Sequence, residues 1–410
     1  MRLEVKKQLI PYGIVILFAY IGFSIPLPIL PEMFLDSVRS ILPGVPLSVR
    51  MIWLGVIMAS FPLGQFLGSP LLGRWSDLYG RKKVILFSLS GSMAGYLVTS
   101  YSVHIHSIAG MFVGLVLCGF CEGNVTIAQS VISDITQKSE HRGEKATCFG
   151  WINLFISLGF IIGPLMGGLL ADPSIVSWFS FATPFWMAAC LTVLGMGVIY
   201  FYSRETLAVR EKRQCKSIRQ MWDLVREPSL KWFYLANFFI ALGYFSFFRF
   251  FPVFLEHLFD FTAAQLSYAM VYDSLAIAAG VIWLVPFLSK KLHTITSLCL
   301  FSFLFALTMI VCLLPTTPYA LIITLPPLGI CLAVVITKGA LLISDAVSAQ
   351  SQGIAMGVLT SVQVSAEMMT GFIGGPLAAY QVTLPLYLGI VMALVCSWIL
   401  YMFRLRVFQK

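Results

Sequence analysis

Long apolar stretches follow one another along almost the whole of this chain of 410 residues. A bilayer core of about 30 Å is crossed by about 20 consecutive apolar residues in an α-helix. Twelve stretches reach that length, at residues 8–31, 50–73, 83–102, 107–133, 146–171, 180–203, 231–254, 264–288, 294–314, 318–342, 353–377 and 383–403. Hydrophobic residues make up 59% of the chain and charged residues only 11%. We therefore expect an all-α integral membrane protein with twelve transmembrane helices.

Two parts of the chain repeat each other. The sequence ISD at 132–134 precedes GFIIGP at 159–164, and ISD at 343–345 precedes GFIGGP at 371–376. Such a repeat in an apolar chain is typical of transporters built from two structurally equivalent halves. We expect two pseudo-symmetric six-helix bundles.

One long polar segment separates the two groups of six stretches. Residues 204–230 contain seven Lys and Arg side chains among a few acidic ones. A role in regulation or partner binding is possible for such a segment, but a solvated linker that faces lipid headgroups is the simpler interpretation. The predicted domains are therefore a bundle at 1–203, a linker at 204–230 and a second bundle at 231–410.

The basic residues predict the orientation of the helices. Of the 27 Lys and Arg, 23 lie at the two termini or in the loops that the even-numbered helices enter. By the positive-inside rule both termini are cytoplasmic. The net charge of +9 then reflects topology and contact with anionic lipid rather than nucleic-acid binding. The first apolar stretch has full membrane length and no small-residue cleavage site, which favours a signal anchor.

The nine cysteines lie mostly inside the apolar stretches and do not suggest a disulfide framework. Cys118 and Cys121, on one helix, are better explained by packing than by metal binding. The five histidines lie at or beyond the helix ends, and no nucleophile–base spacing is present. We therefore expect neither an enzyme, nor a cofactor, nor a metal site.

A charged loop, residues 73–83, joins the second and third stretches and reads GRWSDLYGRKK. Gly80 allows a tight turn, and Asp77 can pair with basic groups or cap a helix end. A loop that only fixes topology would explain most of these charges, but not the spacing G-x3-D-x2-G-R-K-K. That spacing resembles the signature loop of the major facilitator superfamily, which latches the cytoplasmic side of the two halves. The matching residues are Gly73, Asp77, Gly80, Arg81 and Lys82, with Asp134 as the acidic partner that the resemblance implies.

A glycine-rich segment, GFIIGPLMGG at 159–168, lies in the fifth stretch. Small residues four apart let another helix approach closely, and Pro164 removes a backbone donor, which favours a bend. Generic packing would explain GxxxG alone. The complete pattern of Gly159, Gly163, Pro164, Gly167 and Gly168 resembles the antiporter motif of the drug:proton antiporters, including tetracycline efflux proteins. In that family the segment lies between the halves and is associated with export.

This chain departs from the family at two places. The family commonly has an acidic residue in helix 1, where this chain has Ala19 and Tyr20 in the corresponding register. It also commonly has an arginine in helix 4 before a glycine, and here Gly119 stands before Gly123. The proton-coupling groups are therefore sought elsewhere in the chain.

Five ionisable residues fall inside the apolar stretches. An ionisable side chain in a bilayer costs about 2.5–3.5 kcal/mol on insertion scales, so each is a functional candidate. They are Glu122, Arg249, Asp273, Lys338 and Glu367. Glu122, Glu367 and Asp273 are the proton-coupling candidates. Glu122 is favoured because it begins a polar face with Thr126 and Gln129 at helical spacing, although a glutamate held by interhelical hydrogen bonds is the alternative.

The other candidates have competing interpretations. Lys338 could hold an anionic substrate or simply extend toward the membrane surface. Arg249 and Asp273 are expected to form a structural ion pair. Glu367 shares a helix face with Gly371, so a proton-sensitive latch and a buried, hydrogen-bonded carboxyl are both possible.

The expected substrate cavity is lined by Glu122, Thr126, Gln129, Lys338 and one face of the seventh stretch. That face carries Asn237 and Tyr244 among several phenylalanines, which suit large planar or cationic ligands. Phenylalanine that faces lipid is common, however.

The sequence predicts a monomeric secondary transporter in the bacterial inner membrane that works by alternating access. Its expected activity is proton-coupled efflux of a small amphipathic compound. One alternative is a metabolite, sugar or siderophore carrier with another coupling direction. The other is a receptor or assembly subunit that has the transporter fold.

Overall fold

The computed structural model describes residues 3–36, 39–123, 127–128, 131, 142–203, 205, 227–347 and 352–408. Within these ranges every regular element is a helix. The first helices are α1 Leu3–Ser24, α2 Pro26–Leu35, α3 Leu47–Tyr79, α4 Arg81–His104, α5 Ile108–Cys121, α6 Arg142–Leu170 and α7 Thr183–Tyr202. The remaining helices are α8 Pro228–Phe259, α9 Ala263–Ala279, a π-helix Gly280–Leu284, α10 Val285–Lys291, α11 Thr294–Cys312, a 3-10 turn Pro318–Ala320, α12 Leu321–Asp345, α13 Gln352–Tyr380 and α14 Leu384–Phe408.

The helices confirm a multi-pass membrane protein. Ten helical segments of the described chain are long and apolar enough to cross a membrane. The shorter helix α5 is also apolar, and α13, with 29 residues, lies outside that set of ten. Each predicted stretch overlaps a helix of the described chain, and the break between Lys291 and Thr294 agrees with the division of residues 264–314 into two spans.

Two compact units make up the chain. The first consists of Met1–Val45, Val56–Arg213 and Phe261–Val271, and the second of Pro46–Gly55, Gln214–Asp260 and Tyr272–Lys410. A division at the linker would place residues 46–55 in the first unit and residues 261–271 in the second, but each segment belongs to the opposite unit. The sequence-based domains at 1–203 and 231–410 therefore stay a prediction.

The first span is interrupted near its centre. Helix α1 ends at Ser24, and α2 begins at Pro26. Proline is favoured at the first position of a helix, because the backbone N–H that it lacks would have no helical partner there. The span then continues to Leu35, four residues beyond the predicted end at 31. This extension places Glu32 among the buried residues.

Helix α5 is shorter than the predicted stretch 107–133. It ends at Cys121, and the N–H of Glu122 donates to the carbonyl of Gly119 over 3.0 Å, which closes the last turn. The hydroxyl of Ser88 in α4 donates to the carbonyl of Cys121, at the end of the helix. Glu122 therefore follows the end of α5, while Thr126 and Gln129, the other members of its predicted polar face, lie outside the described residues, so that face stays a prediction.

Helices α4 and α5 pack backbone against backbone in the first unit. A Cβ atom built at Gly95 would lie 2.7 Å from the carbonyl oxygen of Gly114, and one built at Gly114 would lie 2.9 Å from that of Gly95. Small residues at such a contact are typical of helix pairs in membranes, where close packing replaces the hydrophobic driving force.

A side chain at this contact has no room. We expect Gly114→Val to lower the free energy of unfolding by about 1–3 kcal/mol or more, because backbone atoms must move apart. Thermal unfolding of the purified protein in detergent measures the effect. The matched control is Gly197→Val, since a Cβ at Gly197 would have no atom within 4 Å. Equal stability of the two variants would contradict this account of the packing.

Candidate functional site

The loop between α3 and α4 is held by its own charges. A guanidinium nitrogen of Arg81 lies 2.7 Å from a carboxylate oxygen of Asp77 and donates to the hydroxyl of Ser76 over 2.6 Å. Gly80 is the single residue between the helices and has φ +104°, a conformation that favours glycine. Gly73 has open space around it. Asp134, the predicted partner of this loop, lies outside the described residues.

Glu205 completes the loop and was not predicted. Its carboxylate accepts hydrogen bonds from the backbone N–H groups of Arg81 and Lys82, at 3.0 and 3.1 Å. A carboxylate at a helix N-terminus satisfies free donors and complements the helix dipole. The ammonium of Lys82 donates to the carbonyls of Tyr200 and Ser203, each at 2.8 Å. The sequence signal was an acidic residue directly after α7, in a segment that we interpreted as a basic linker.

The glycines of the antiporter-like motif form a contact surface on α6. A Cβ atom at Gly159 would lie 2.5 Å from the Cβ of Tyr20, and one at Gly163 would lie 2.7 Å from the carbonyl oxygen of Ile21. The hydroxyl of Ser24 donates to the carbonyl of Gly159 over 3.1 Å. These residues bring α6 into backbone contact with α1 inside the first unit.

The same motif also contacts α9. The hydroxyl of Ser267 donates to the carbonyl of Pro164 over 2.7 Å. A Cβ at Gly168 would lie within 2.9 Å of the carbonyl carbon of Ala263. A Cβ at Gly167 would meet the carbonyl group of Ile25. The five motif residues thus pack α6 between α1, α2 and the first turns of α9, all within the first unit.

The second copy of the repeat is a packing surface in the other unit. A Cβ at Gly55, in the part of α3 that belongs to the second unit, would lie 2.5 Å from both the carbonyl oxygen of Gly371 and the Cα of Gly375. On another face of α13, Gly374 leaves room for the ring of Phe250 in α8. Both copies of the repeat therefore allow close helix contacts.

Glu367, one turn before this second copy, forms a buried ion pair with Arg249 of α8. One turn along, the hydroxyls of Ser246 and Thr370 lie 3.4 Å apart and extend the polar contact between α8 and α13. The predicted pair of Arg249 with Asp273 is wrong. The reason is geometric, because Arg249 faces α13, while Asp273 packs against Gly329 of α12.

Asp273 is a buried carboxylate that forms no ion pair with the described residues. Its side chain is only 5% exposed, and its Oδ1 atom has no hydrogen-bond partner among the described residues. Its backbone and Oδ1 lie against Gly329, where a Cβ would come within 2.8 Å of both. Buried carboxylates are normally paired or hydrogen-bonded, so this arrangement is unusual.

Glu122 is also 5% exposed, directly after α5. Its carboxyl lies within electrostatic range of Tyr96 in α4 and of Cys118. Tyr96 is buried, and its hydroxyl lies where a Cβ at Gly22 of α1 would be. Tyr96 thus packs α4 against α1. The part played by Tyr96 was not evident from the sequence.

The remaining cavity candidates in the described chain are Lys338, Asn237 and Tyr244. The ammonium of Lys338 donates to the hydroxyl of Ser289 in α10 over 2.7 Å, and Asn237 donates to the carbonyl of Phe233 over 2.9 Å. The carbonyl oxygen of the Asn237 side chain lies beside Gly339. Tyr244 packs against Phe245, with ring centroids 4.3 Å apart. Thr126 and Gln129 lie outside the described residues.

Glu32 is a buried carboxylate that the sequence reasoning missed. It forms an ion pair with Arg39 and accepts a hydrogen bond from the N–H of Ala263 at the start of α9. Arg39 also lies over the ring of Phe181, 5.1 Å from its centroid. The predicted end of the first helix at residue 31 had placed Glu32 in a loop.

The described residues contain no cluster of three or more His, Cys, Asp or Glu side chains suited to a metal ion. The thiols of Cys118 and Cys121 instead lie against Gly95 and Gly91 of α4, in agreement with a packing role.

Apolar helices with glycine contacts, and buried carboxylates between them, define a multi-pass membrane protein of the helical transporter class. The sequence profile described as Major Facilitator Superfamily matches residues 12–371, and the chain therefore belongs to this family.

Several relatives are efflux proteins by name. The chain is 30% identical over 198 residues to the Escherichia coli "Tetracycline resistance protein, class B", covering 48% of this chain and 44% of that protein. It is 27% identical over 267 residues to the Bacillus subtilis "Multidrug resistance protein 2", covering 63% and 61%. The matches thus span about half of the length of these relatives. The family contains transport proteins, in agreement with the prediction of a non-enzyme.

Solved structures share the fold. The crystal structure of the human organic anion transporter MFSD10 superposes with a TM-score of 0.71 at 18% identity, covering 97% of this chain and 100% of that one. That of the D-xylose-proton symporter gives 0.77 at 12% identity, covering 98% of each.

The buried Arg249–Glu367 pair should contribute to the stability of the protein in a way that depends on both members. Removing one member of a buried ion pair leaves an unpaired charge, which costs about 3–5 kcal/mol, whereas replacing both partners can be nearly neutral. We expect Glu367→Gln and Arg249→Gln to lower the melting temperature, and the double variant to be more stable than the sum of the two losses implies.

A thermal double-mutant cycle in detergent measures this coupling. The control is Lys231→Gln, an exposed basic residue of α8. Strictly additive effects would contradict a direct interaction between the two side chains.

Proposed function

We propose that this chain is a secondary transporter that exports a small amphipathic compound in exchange for protons, by alternating access. The observation that carries the proposal is the buried Glu122 carboxyl at the end of α5. The packed GxxxGPxxGG segment of α6 and the similarity to tetracycline and multidrug resistance proteins support the direction of transport.

The position of Glu122, directly after the end of α5, determines how its carboxyl would take up and release a proton. The helix stops there, and Ser88 satisfies the carbonyl of Cys121. The carboxyl of Glu122 lies among apolar and weakly polar groups such as Tyr96 and Cys118. A group in such surroundings favours its neutral form and loses its proton when polar groups or water reach it. Uptake of a proton from outside and its release inside would therefore drive the cycle.

Protonation of Glu367 would have a different effect from protonation of Glu122. While ionised it is held by Arg249. Protonation removes the ionic part of that attraction and frees the guanidinium. We assign to this pair a latch between α8 and α13, and not the main coupling step.

The substrate contacts that we propose are Glu122, Thr126, Gln129, Asn237, Tyr244 and Lys338. We place the protein in the bacterial inner membrane as a monomer with both termini cytoplasmic, because the basic residues concentrate in the loops on that side. The loop of Gly73, Asp77, Gly80, Arg81 and Lys82 then lies on the cytoplasmic side, where Asp134 would be its partner.

Neutralising Glu122 tests the coupling. We expect Glu122→Gln to lower pH-driven transport of tetracycline and ethidium into inverted membrane vesicles about 100-fold or more, since a positioned proton-transfer group typically contributes about 10²–10⁴-fold. The melting temperature should stay close to that of the wild type. Glu227→Gln, at an exposed residue before α8, is the control.

The outcomes separate the alternatives. Full pH-driven transport by Glu122→Gln would contradict the assigned role of this residue. Accumulation only with the reversed pH gradient would favour an importer of metabolites. Absence of transport together with a stable co-purifying subunit would favour a receptor or assembly protein.

A further inference from the structure

Helices α9 and α12 lie in close contact inside the second unit. A Cβ atom built at Gly329 of α12 would lie 2.8 Å from the backbone carbonyl oxygen of Asp273 and 3.1 Å from the Cβ of Ala276. One built at Gly280, in the π-helix that continues α9, would lie 2.7 Å from the Cβ of Ala333. Small residues thus bring the two backbones together, as in other helix pairs of membrane proteins.

The carboxyl of Asp273 lies within this contact. Its Oδ1 atom is also 2.8 Å from the Cβ built at Gly329, so the absence of a side chain there makes room for the carboxyl. The residue is only 5% exposed, and Oδ1 has no hydrogen-bond partner in the described chain. Asp273 lies about 15 Å from the start of the membrane span Ala263–Lys291, so its carboxyl is well inside the span.

The orientation of α9 keeps this carboxyl where it is. Pro326, inside α12, has no N–H, so the carbonyl of Ile322 loses its usual donor. The hydroxyl of Tyr272, directly before Asp273, donates to that carbonyl over 2.9 Å. With the glycine contact on the other side, α9 cannot rotate to turn the carboxyl away from α12 in this conformation.

The surroundings of Asp273 provide no positive charge in the described chain. None of its ion pairs includes this residue. The titratable side chains on the adjoining turns are Tyr272 on α9, Cys331 on α12 and Cys312 at the end of α11, which are neutral in their ordinary state. A carboxylate buried without a counterion is costly, whereas the neutral carboxyl is not.

We propose that Asp273 binds a proton and serves as a second proton carrier of this protein, in addition to Glu122. A proton is bound by a single carboxyl, so no other coordinating group is needed. The neutral carboxyl fits against Gly329. Loss of the proton leaves an uncompensated charge in the contact, which favours separation of α9 from α12 and access of water. Proton binding and the contact of the two helices are therefore linked.

The carrier role rests on the proposed proton-coupled export, whereas proton binding by Asp273 does not. Asp273 belongs to the second unit and Glu122 to the first. Proton binding can be measured without a transported compound. A failure of the Glu122 prediction would therefore leave the test of proton binding intact, and the reverse also holds.

The first test is thermal unfolding of the full-length purified protein in detergent, from about pH 5 to about pH 8. Unfolding exposes the carboxyl of Asp273, which then releases its proton at any pH above about 4. The unfolding equilibrium constant of the wild type should therefore rise, by up to about tenfold for each pH unit, relative to that of Asp273→Asn, which cannot titrate. The melting temperature of the wild type minus that of the variant should fall as the pH rises.

The sign of this pH dependence decides the question. A difference that rises with pH would mean that the folded protein holds Asp273 as a charged carboxylate, and would overturn the proposal. An identical pH dependence of the two proteins would overturn it as well. The control is Asp260→Asn, at an exposed residue with φ +52° where asparagine is tolerated, and it should behave like the wild type. If Asp273→Asn does not fold, Asp273→Ser, also neutral and smaller, replaces it in the comparison.

The second test measures the carrier role as the accumulation of tetracycline or ethidium in inverted membrane vesicles. With a pH gradient of one unit, each coupled proton supports at most about tenfold accumulation. Loss of one of two protons should therefore lower the maximum accumulation about tenfold in Asp273→Asn and leave it unchanged in Asp260→Asn. Wild-type accumulation by Asp273→Asn would overturn the carrier role.

Discussion

A backbone N–H or C=O group that loses its helical partner inside a bilayer has no water to bind, and this constraint explains several of the polar contacts between helices. At several places in the described chain where a helix bends or ends, a side chain from another helix supplies a partner. The hydroxyl of Ser88 binds the last carbonyl of α5, and that of Tyr272 binds the carbonyl released by Pro326. The carboxylate of Glu32 binds an N–H at the start of α9.

These contacts require close approach, and the small residues of the repeat provide it. Gly159 and Gly163 bring α6 to α1, and Gly371 and Gly375 bring α13 to Gly55 of α3. The two copies have the same packing role but different chemistry. Only the second is preceded by an acidic residue, Glu367, that is paired with an arginine.

The buried carboxylates fall into two groups that the sequence does not distinguish. Glu367 and Glu32 are paired with arginines, so their charges are compensated by the protein. Asp273 has no ion-pair partner among the described residues, and Glu122 lies at a helix end beside Tyr96. The predicted Arg249–Asp273 pair failed because similar depth in consecutive helices says nothing about which neighbour each side chain faces.

Much of the fold was predictable from the sequence, because apolar length, glycine spacing and charge placement act locally. The lengths of the apolar stretches determined the helices and their order, and the motif spacing determined the family. Only the tertiary structure decided which polar groups meet. Those contacts join residues far apart in the chain, such as Arg81 with Glu205 and Arg249 with Glu367. Each depends on the rotation of two helices about their axes, which the hydrophobicity of a lipid-embedded helix does not determine.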